Sequence, residues 1–231
     1  MKKTISIAID GPSGAGKSSL AKRCAAVFGL QYVDTGAIYR TVALAAIRAG
    51  FRSADPEEVS AFLRTIEVSI QYDSEGMQHM FLGDEDVTGQ IRAPEVSVRA
   101  SDLSSFPVVR EYLMDMQRDL AKSHSVIMDG RDIGTVVLPN ADLKIFLTAS
   151  VEERAKRRML ELQAKGETFS FDEVVKSISY RDRQDSERAA APLKKADDAI
   201  ELDTSSLNFD ESFAALSQLI LDRFYVENGE G

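Results

Sequence analysis

The run Gly11-x-x-x-x-Gly16-Lys17-Ser18 has residue types and spacing suited to holding a polyphosphate. Glycines at 11, 14 and 16 let successive backbone N–H groups turn toward one anion. A helix opening near Gly16 would add its positive dipole end. Lys17 can reach the outer phosphates of a nucleoside triphosphate, and the Ser18 hydroxyl can ligate Mg²⁺. An apolar strand over residues 4–10 precedes the run and an amphipathic helix over 20–28 follows it. Gly11, Pro12, Ser13, Gly14, Ala15, Gly16, Lys17, Ser18 and Ser19 therefore read as one triphosphate-binding loop rather than a chance glycine turn.

Three more clusters could handle anions. Asp34-Thr35-Gly36-Ala37-Ile38-Tyr39-Arg40 follows a second strand, and Asp129-Gly130-Arg131-Asp132 ends a third. Arg40 alone reads as a solvated surface arginine. Paired with Arg131 at neighbouring strand ends, it suits a clamp on one phosphate. Arg154, Arg157 and Arg158 share a helix, with Arg154 and Arg158 on one face. Glu152 and Glu153 could simply neutralise them, or they could form a mobile arginine lid over the triphosphate. Arg181, Asp185 and Arg188 also fall on one helical face beside Arg183, either as a site or as a charged helix end. Asp129 ends an apolar strand, so it could reach Mg²⁺ through water or serve as a structural carboxylate that orients Arg131. His79 and His124 have no partners at ligand spacing.

These residues need a scaffold, and strand and helix patterns alternate to supply one. Strands are expected at 4–10, 31–33, 126–129, 143–147 and 199–202. Helices are expected at 37–49, 108–122, 151–165, 171–185 and 209–224. Ser150-x-x-Glu153 and Ser170-x-x-Glu173 read as capping boxes at two helix starts. The alternation implies a parallel sheet flanked by helices, with ligands beyond the carboxyl ends of the strands. One stretch breaks the rhythm. Residues 67–72 and 77–82 alternate in polarity around the turn Asp73-Ser-Glu-Gly76, and a further turn leads to a short segment at Val87, as in a small antiparallel insertion. Asp73-x-x-Gly76 spells a switch-like string but reads as turn chemistry. The tail 227–231 reads as frayed.

Bulk properties narrow the class. A chain of 231 residues fits one domain, and 44% apolar content is enough for a core. A net charge of −9 argues against coating nucleic acid or an acidic membrane, so basic groups must act locally. The single cysteine, Cys24, excludes an internal disulfide and reads as a buried small side chain. No apolar run approaches a membrane span, and Met1-Lys2-Lys3-Thr4 leads at once into the first strand, so no cleavable signal and a reducing cytoplasm are expected. The Asn-Lys-x-Asp string of base-reading GTPases is absent.

The chain resembles the bacterial cytidylate kinases, which are nucleoside monophosphate kinases. The matching stretches are Ile9-Asp-Gly-Pro-Ser-Gly-Ala-Gly-Lys-Ser18, Asp34-Thr-Gly-Ala-Ile-Tyr-Arg40, Asp129-Gly-Arg-Asp-Ile-Gly-Thr135, Ser179-Tyr-Arg-Asp-Arg183 and Ala190-Ala-Pro-Leu193, together with the insertion near 66–87. The resemblance implies an α/β fold: a P-loop NTPase-type parallel sheet of about five strands with a helical lid. It implies a single kinase domain over 1–231, with an acceptor-binding region at 36–105, its β insertion at about 66–87 and a lid at about 150–167. It implies transfer of the γ-phosphoryl of ATP to CMP or dCMP with Mg²⁺, by a cytoplasmic monomer acting on small nucleotides rather than on nucleic acid or membranes.

The resemblance also assigns roles. Arg40 and Arg131 would bind the acceptor phosphate, and Thr35 would also contact CMP. Ser101, Arg110, Asp132 and Arg188 would read cytosine, and Arg181 and Asp185 would hold the sugar. Lys17, Arg131 and Arg157 would stabilise the transferring group, and Arg154, Arg157 and Arg158 would face ATP. The alternatives are a kinase for another small acceptor such as UMP or shikimate, or a nucleotide-dependent regulatory switch.

Overall fold

The computed structural model describes residues 4–164 and 166–225. Five parallel strands form the main sheet: β1 (Ser6–Asp10), β2 (Gln31–Asp34), β6 (Val126–Gly130), β7 (Leu143–Thr148) and β8 (Ile200–Asp203), in the order β2-β6-β1-β7-β8. The central strands are apolar on both faces, as parallel strands covered by helices must be.

Period-two alternation divides them between two cores. Ala8, Val33, Val126 and Met128 pack on one face, with α2 (Thr35–Arg48) and α5 (Pro107–Ser123). Ile7, Ile9, Ile127, Ile145 and Leu147 pack on the other, with α1 (Lys17–Phe28) and α8 (Phe209–Phe224). A third, smaller cluster of Ala155, Leu162, Val174 and Ile178 joins α6 (Val151–Ala164) to α7 (Phe171–Glu187).

The insertion is a three-stranded antiparallel sheet in the order β3 (Val68–Tyr72), β4 (Gln78–Leu82), β5 (Glu85–Asp86). Asp73 accepts the N–H groups of Glu75 and Met77 in the first turn, so the Asp-x-x-Gly string is turn chemistry here. The third strand is Glu85–Asp86, and Val87 lies beyond it as a buried anchor. Two helices have no counterpart in the sequence reading: α3 (Pro56–Leu63) and α4 (Pro94–Leu103), each with proline in its first turn.

Ser170 and Glu173 form the reciprocal capping box at the start of α7. At the start of α6 only half of one exists. Ser150 Oγ accepts the Glu153 N–H, but the Ser150 N–H donates to Ser205 Oγ, because the loop after β8 lies against that end. The first strand begins at Ser6 rather than residue 4. Lys165, the expected end of α6, and the tail 227–231 lie outside the described residues.

Candidate active site

Strand register sets the site. Asp34 pairs with Asp129, Ile9 pairs with Asp129, and Asp10 pairs with Gly130, so three carboxylates stand at the carboxyl edge of neighbouring strands. A cleft of about 1080 Å³ opens beyond that edge. It is lined by Ser13 to Ser19 and by Thr35, Arg40, Ser101, Arg110, Asp129, Arg131, Asp132, Arg157, Arg158, Arg181, Asp185 and Arg188. Gly11 and Pro12 are buried behind it. Gly11 adopts φ 148, and a Cβ there would sit 1.9 Å from the Leu147 carbonyl oxygen, so the turn from strand to loop admits only glycine.

The loop ends at Gly16 in the left-handed region, and α1 starts at Lys17. Lys17 is buried and its Nζ donates to the Pro12 carbonyl at 2.7 Å. Burial, with Arg131 nearby, pulls its pKa down to about 7, against the pull of Asp129 and Asp10. Ser18 Oγ donates to Asp129 Oδ2 at 2.8 Å, and the Tyr32 hydroxyl donates to Oδ1 at 2.7 Å. Burial raises the Asp129 pKa, and Asp34 adds to that. One hydroxyl and one carboxylate suit Mg²⁺, which takes few protein oxygens and completes its shell with water and phosphate. Among the described residues there is no cluster of three or more His, Cys, Asp or Glu side chains that could hold a metal without such help. Asp129 favours the charge on Arg131, while the Arg131 Nε donates to Asp185 Oδ2 at 2.7 Å.

Another part of the cleft gathers arginines. Asp34 caps α2 through the Ala37 N–H and pairs with Arg40 at 3.0 Å and Arg92 at 3.4 Å. Thr35 lines the cleft with its hydroxyl donating to the Asp129 carbonyl. Asp132 is buried between Arg110, a direct hydrogen-bonded ion pair, and Arg188 at 3.5 Å. Arg40 Nε and Arg188 Nη2 are buried without a hydrogen-bond partner among the described residues. Burial lowers the pKa of Arg181, as do Arg158 and Arg131 beside it; burial and Arg110 do the same to Arg188. Crowded cations with spare donors are a pocket arranged for an anion.

The third arginine cluster splits. Arg158 is partly exposed and meets Glu161 at 2.8 Å. Arg157 reaches the Ala15 carbonyl from one side and the Thr204 carbonyl from the other. Arg154 is not a free lid residue. It is 4% exposed, forks onto Asp182 with bonds of 3.0 and 2.7 Å, and donates to the carbonyls of Ala149 and Ser13. Glu153 pairs with Arg157 at 3.5 Å rather than with Arg154. Arg183 is exposed.

Sequence reasoning overlooked several supports. Gln78 of the insertion accepts the Asp34 N–H at 2.7 Å and returns a bond to the Asp34 carbonyl at 3.2 Å; nothing in the sequence marks it. Tyr32 alternates as a core residue and hides its polar role. Asp10, by contrast, carries a visible signal: a carboxylate closing a buried strand.

The family model described as cytidylate kinase matches residues 7–221. A protein named cytidylate kinase from an Exiguobacterium species is 48% identical over 95% of this chain and 98% of its own length. One of the same name from Geobacter sulfurreducens is 44% identical, covering 96% of this chain and 95% of its own. The solved structure of an uncharacterized protein from Eubacterium ventriosum covers 96% of this chain and 100% of its own at TM-score 0.51 and 14% identity, a likeness of fold alone.

Proposed function

We propose, from the fact that the chain belongs to the cytidylate kinase family, that it transfers the γ-phosphoryl of ATP to CMP or dCMP, giving ADP and CDP or dCDP. The observation that carries this reading is the shared cleft: the triphosphate loop and the buried Arg110–Asp132–Arg188 group open into one space.

The acceptor is already an anionic phosphate oxygen, so no strong general base is required. An acceptor phosphate oxygen forms a bond to the γ-phosphorus as the β–γ bridging bond breaks, and ADP leaves with that bridging oxygen. The barrier is the repulsion between two anions that must meet in line. Arg40 and Arg131 hold the acceptor phosphate, and Thr35 also contacts CMP. Lys17, Arg131 and Arg157 meet the transferring group, and guanidinium contacts of this kind are worth about 10³ to 10⁵ in rate. Ser18 and Asp129 would hold Mg²⁺, which when bound supplies positive charge among the phosphates. The loop residues 11–19, with Arg157 and Arg158, bind ATP, while Arg154 braces the loop from behind.

Ser101, Arg110, Asp132 and Arg188 read cytosine, whose N4 amino group donates where uracil offers an acceptor. A carboxylate left facing uracil O4 loses its partner, enough for discrimination of roughly 10⁴. Arg181 and Asp185 hold the sugar. Residues 36–105 form the acceptor region, residues at about 150–167 the lid, and the whole acts as a cytoplasmic monomer on small molecules.

The test is ADP formation with each acceptor in turn. CMP and dCMP are expected to drive it, with UMP, shikimate and no acceptor at background. Equal or better turnover with UMP or shikimate would transfer the assignment to that acceptor. Hydrolysis indifferent to any acceptor would favour a regulatory switch.

A further inference from the structure

We infer that Asp10 is a positioning residue for the acceptor nucleotide: its carboxylate holds the backbone turn that carries Arg131 and Asp132, and so sets acceptor affinity without touching the acceptor. This rests on the reading of the cleft as a cytidylate site.

Asp10 closes β1 one residue before the triphosphate loop and is 5% exposed. Its two oxygens are fully used on successive amides: Oδ1 accepts the Ile133 N–H and Oδ2 the Gly134 N–H, both at 2.7 Å. Those amides open a single π-helical turn, Ile133–Val137, where N–H groups have no partner within the turn itself. Asp132 is the residue leading into it, with φ −147 and ψ 26, a conformation outside both helix and strand. An anchored turn thus fixes where the Asp132 side chain departs toward Arg110 and Arg188.

Strand alternation explains why Asp10 serves the acceptor side. Its side chain shares the face of Ala8, whereas Asp129 shares the face of Ile127 and turns to Ser18. The fit is close. A Cβ on Gly134 would lie 3.1 Å from Lys144 Cδ and 3.4 Å from Asp10 Oδ2, so a side chain there would crowd both. The charged groups around Asp10 are Lys17 from α1, Arg131 from the end of β6 and Asp132 from the turn, while Lys144 from β7 passes its stem beside Gly134 and pairs with Asp198. Burial raises the Asp10 pKa to about 6, yet both oxygens remain acceptors only when the group is ionised. Asparagine would oppose an NH₂ to one of the two amides and leave a buried donor unsatisfied.

The experiment compares wild type with Asp10→Asn, measuring dissociation constants for CMP and for ATP by calorimetry, and kcat and KM with CMP and UMP. The expected result is CMP affinity weaker by about tenfold or more with a clearly smaller loss of ATP affinity, since Asp10 touches the ATP side only through its charge on Lys17. The KM for CMP rises more than kcat falls, and the CMP-over-UMP ratio drops. A merely structural role would lower the melting temperature and leave both affinities of the folded protein alone. That outcome, or equal weakening of both ligands, overturns the inference. If Asp10→Asn does not fold, Asp10→Glu keeps two acceptors one methylene too long and is read by the same split between CMP and ATP. Wild type that ignores CMP would sink the functional reading and this inference with it. Wild type that phosphorylates CMP, with an unchanged variant, would sink the inference alone.

Discussion

Arg131 and Asp185 form an ion pair that joins the end of β6 to α7, with Nε 2.7 Å from Oδ2 and the two side chains 27% and 14% exposed. Burial disfavours the charge on Arg131, and Asp185, with Asp129 and Asp10, more than restores it. With Nη1 donating to the Gly130 carbonyl, the guanidinium is held at two of its edges before any ligand arrives. Asp185 therefore aims Arg131, the arginine proposed to bind the acceptor phosphate, in addition to its own proposed contact with the sugar.

Asp185→Asn is expected to lower kcat/KM about ten- to hundredfold for CMP and dCMP alike, since a charge-assisted bond is worth about 1.5–3 kcal/mol. Steady-state kinetics with both acceptors decides between roles. A loss confined to CMP would make Asp185 a sugar contact only.

Asp132→Ala should erode the preference for CMP over UMP, because the proposed acceptor of the N4 amino group is gone. It should also destabilise the protein by about 3–5 kcal/mol, because Arg110 stays buried without its partner. Kinetics are therefore read below the variant's melting temperature. An unchanged CMP-to-UMP ratio would refute the assignment of Asp132 to the base.

Arg154 and Arg158 stand one helical turn apart and should respond differently. Removing Arg154 strands Asp182 and two carbonyl contacts at the junction of α6, α7 and the loop, at a cost of about 3–5 kcal/mol. Removing Arg158 breaks a partly exposed i,i+3 pair worth about 0.3–0.5 kcal/mol. Arg154→Ala should lower the melting temperature strongly, and Arg158→Ala should leave it nearly unchanged while weakening ATP turnover. Equal melting temperatures would show that the Arg154 bonds contribute little.

The parts of this architecture that repeat locally were legible from residues alone. Buried strands announce themselves as apolar runs, and Gly11 to Ser18 carries its own geometry in its glycines. The helix Phe171–Glu187 starts at a cap that the chain spells out, Ser170-x-x-Glu173. What escaped was settled by distant packing. The helix Pro94–Leu103 offers a weak apolar stripe and forms against α2. The sequence shows Arg154 and Arg158 as one stacked pair, but Asp182, 28 positions away from Arg154, takes the first and leaves the second outside. Gln78 is an unremarkable polar residue until the insertion folds onto Asp34. Side chains that hold other side chains leave little local signature, since their partners are fixed only by the tertiary fold.

His79 offers a pH-dependent test of that insertion. It sits on the middle strand β4, with Nδ1 2.8 Å from Asp86 on β5 and Nε2 3.2 Å from Asp73 in the turn after β3, so one imidazolium ties all three strands. Contact with Asp86, then Asp73, raises its pKa above the ordinary 6.5. A raised histidine value means that the folded state favours the proton. The stabilisation is therefore complete below 6.5 and disappears as pH climbs through the raised value. His79→Gln should melt lower than wild type at about pH 6 and match it at about pH 9, a gap that added salt narrows because the pair is exposed. Next along β4, Gln78 grips Asp34, so loosening the insertion should reach the acceptor site as a higher KM for CMP at alkaline pH in wild type. A melting gap that stays constant across pH would show that the imidazolium does not hold the three strands together.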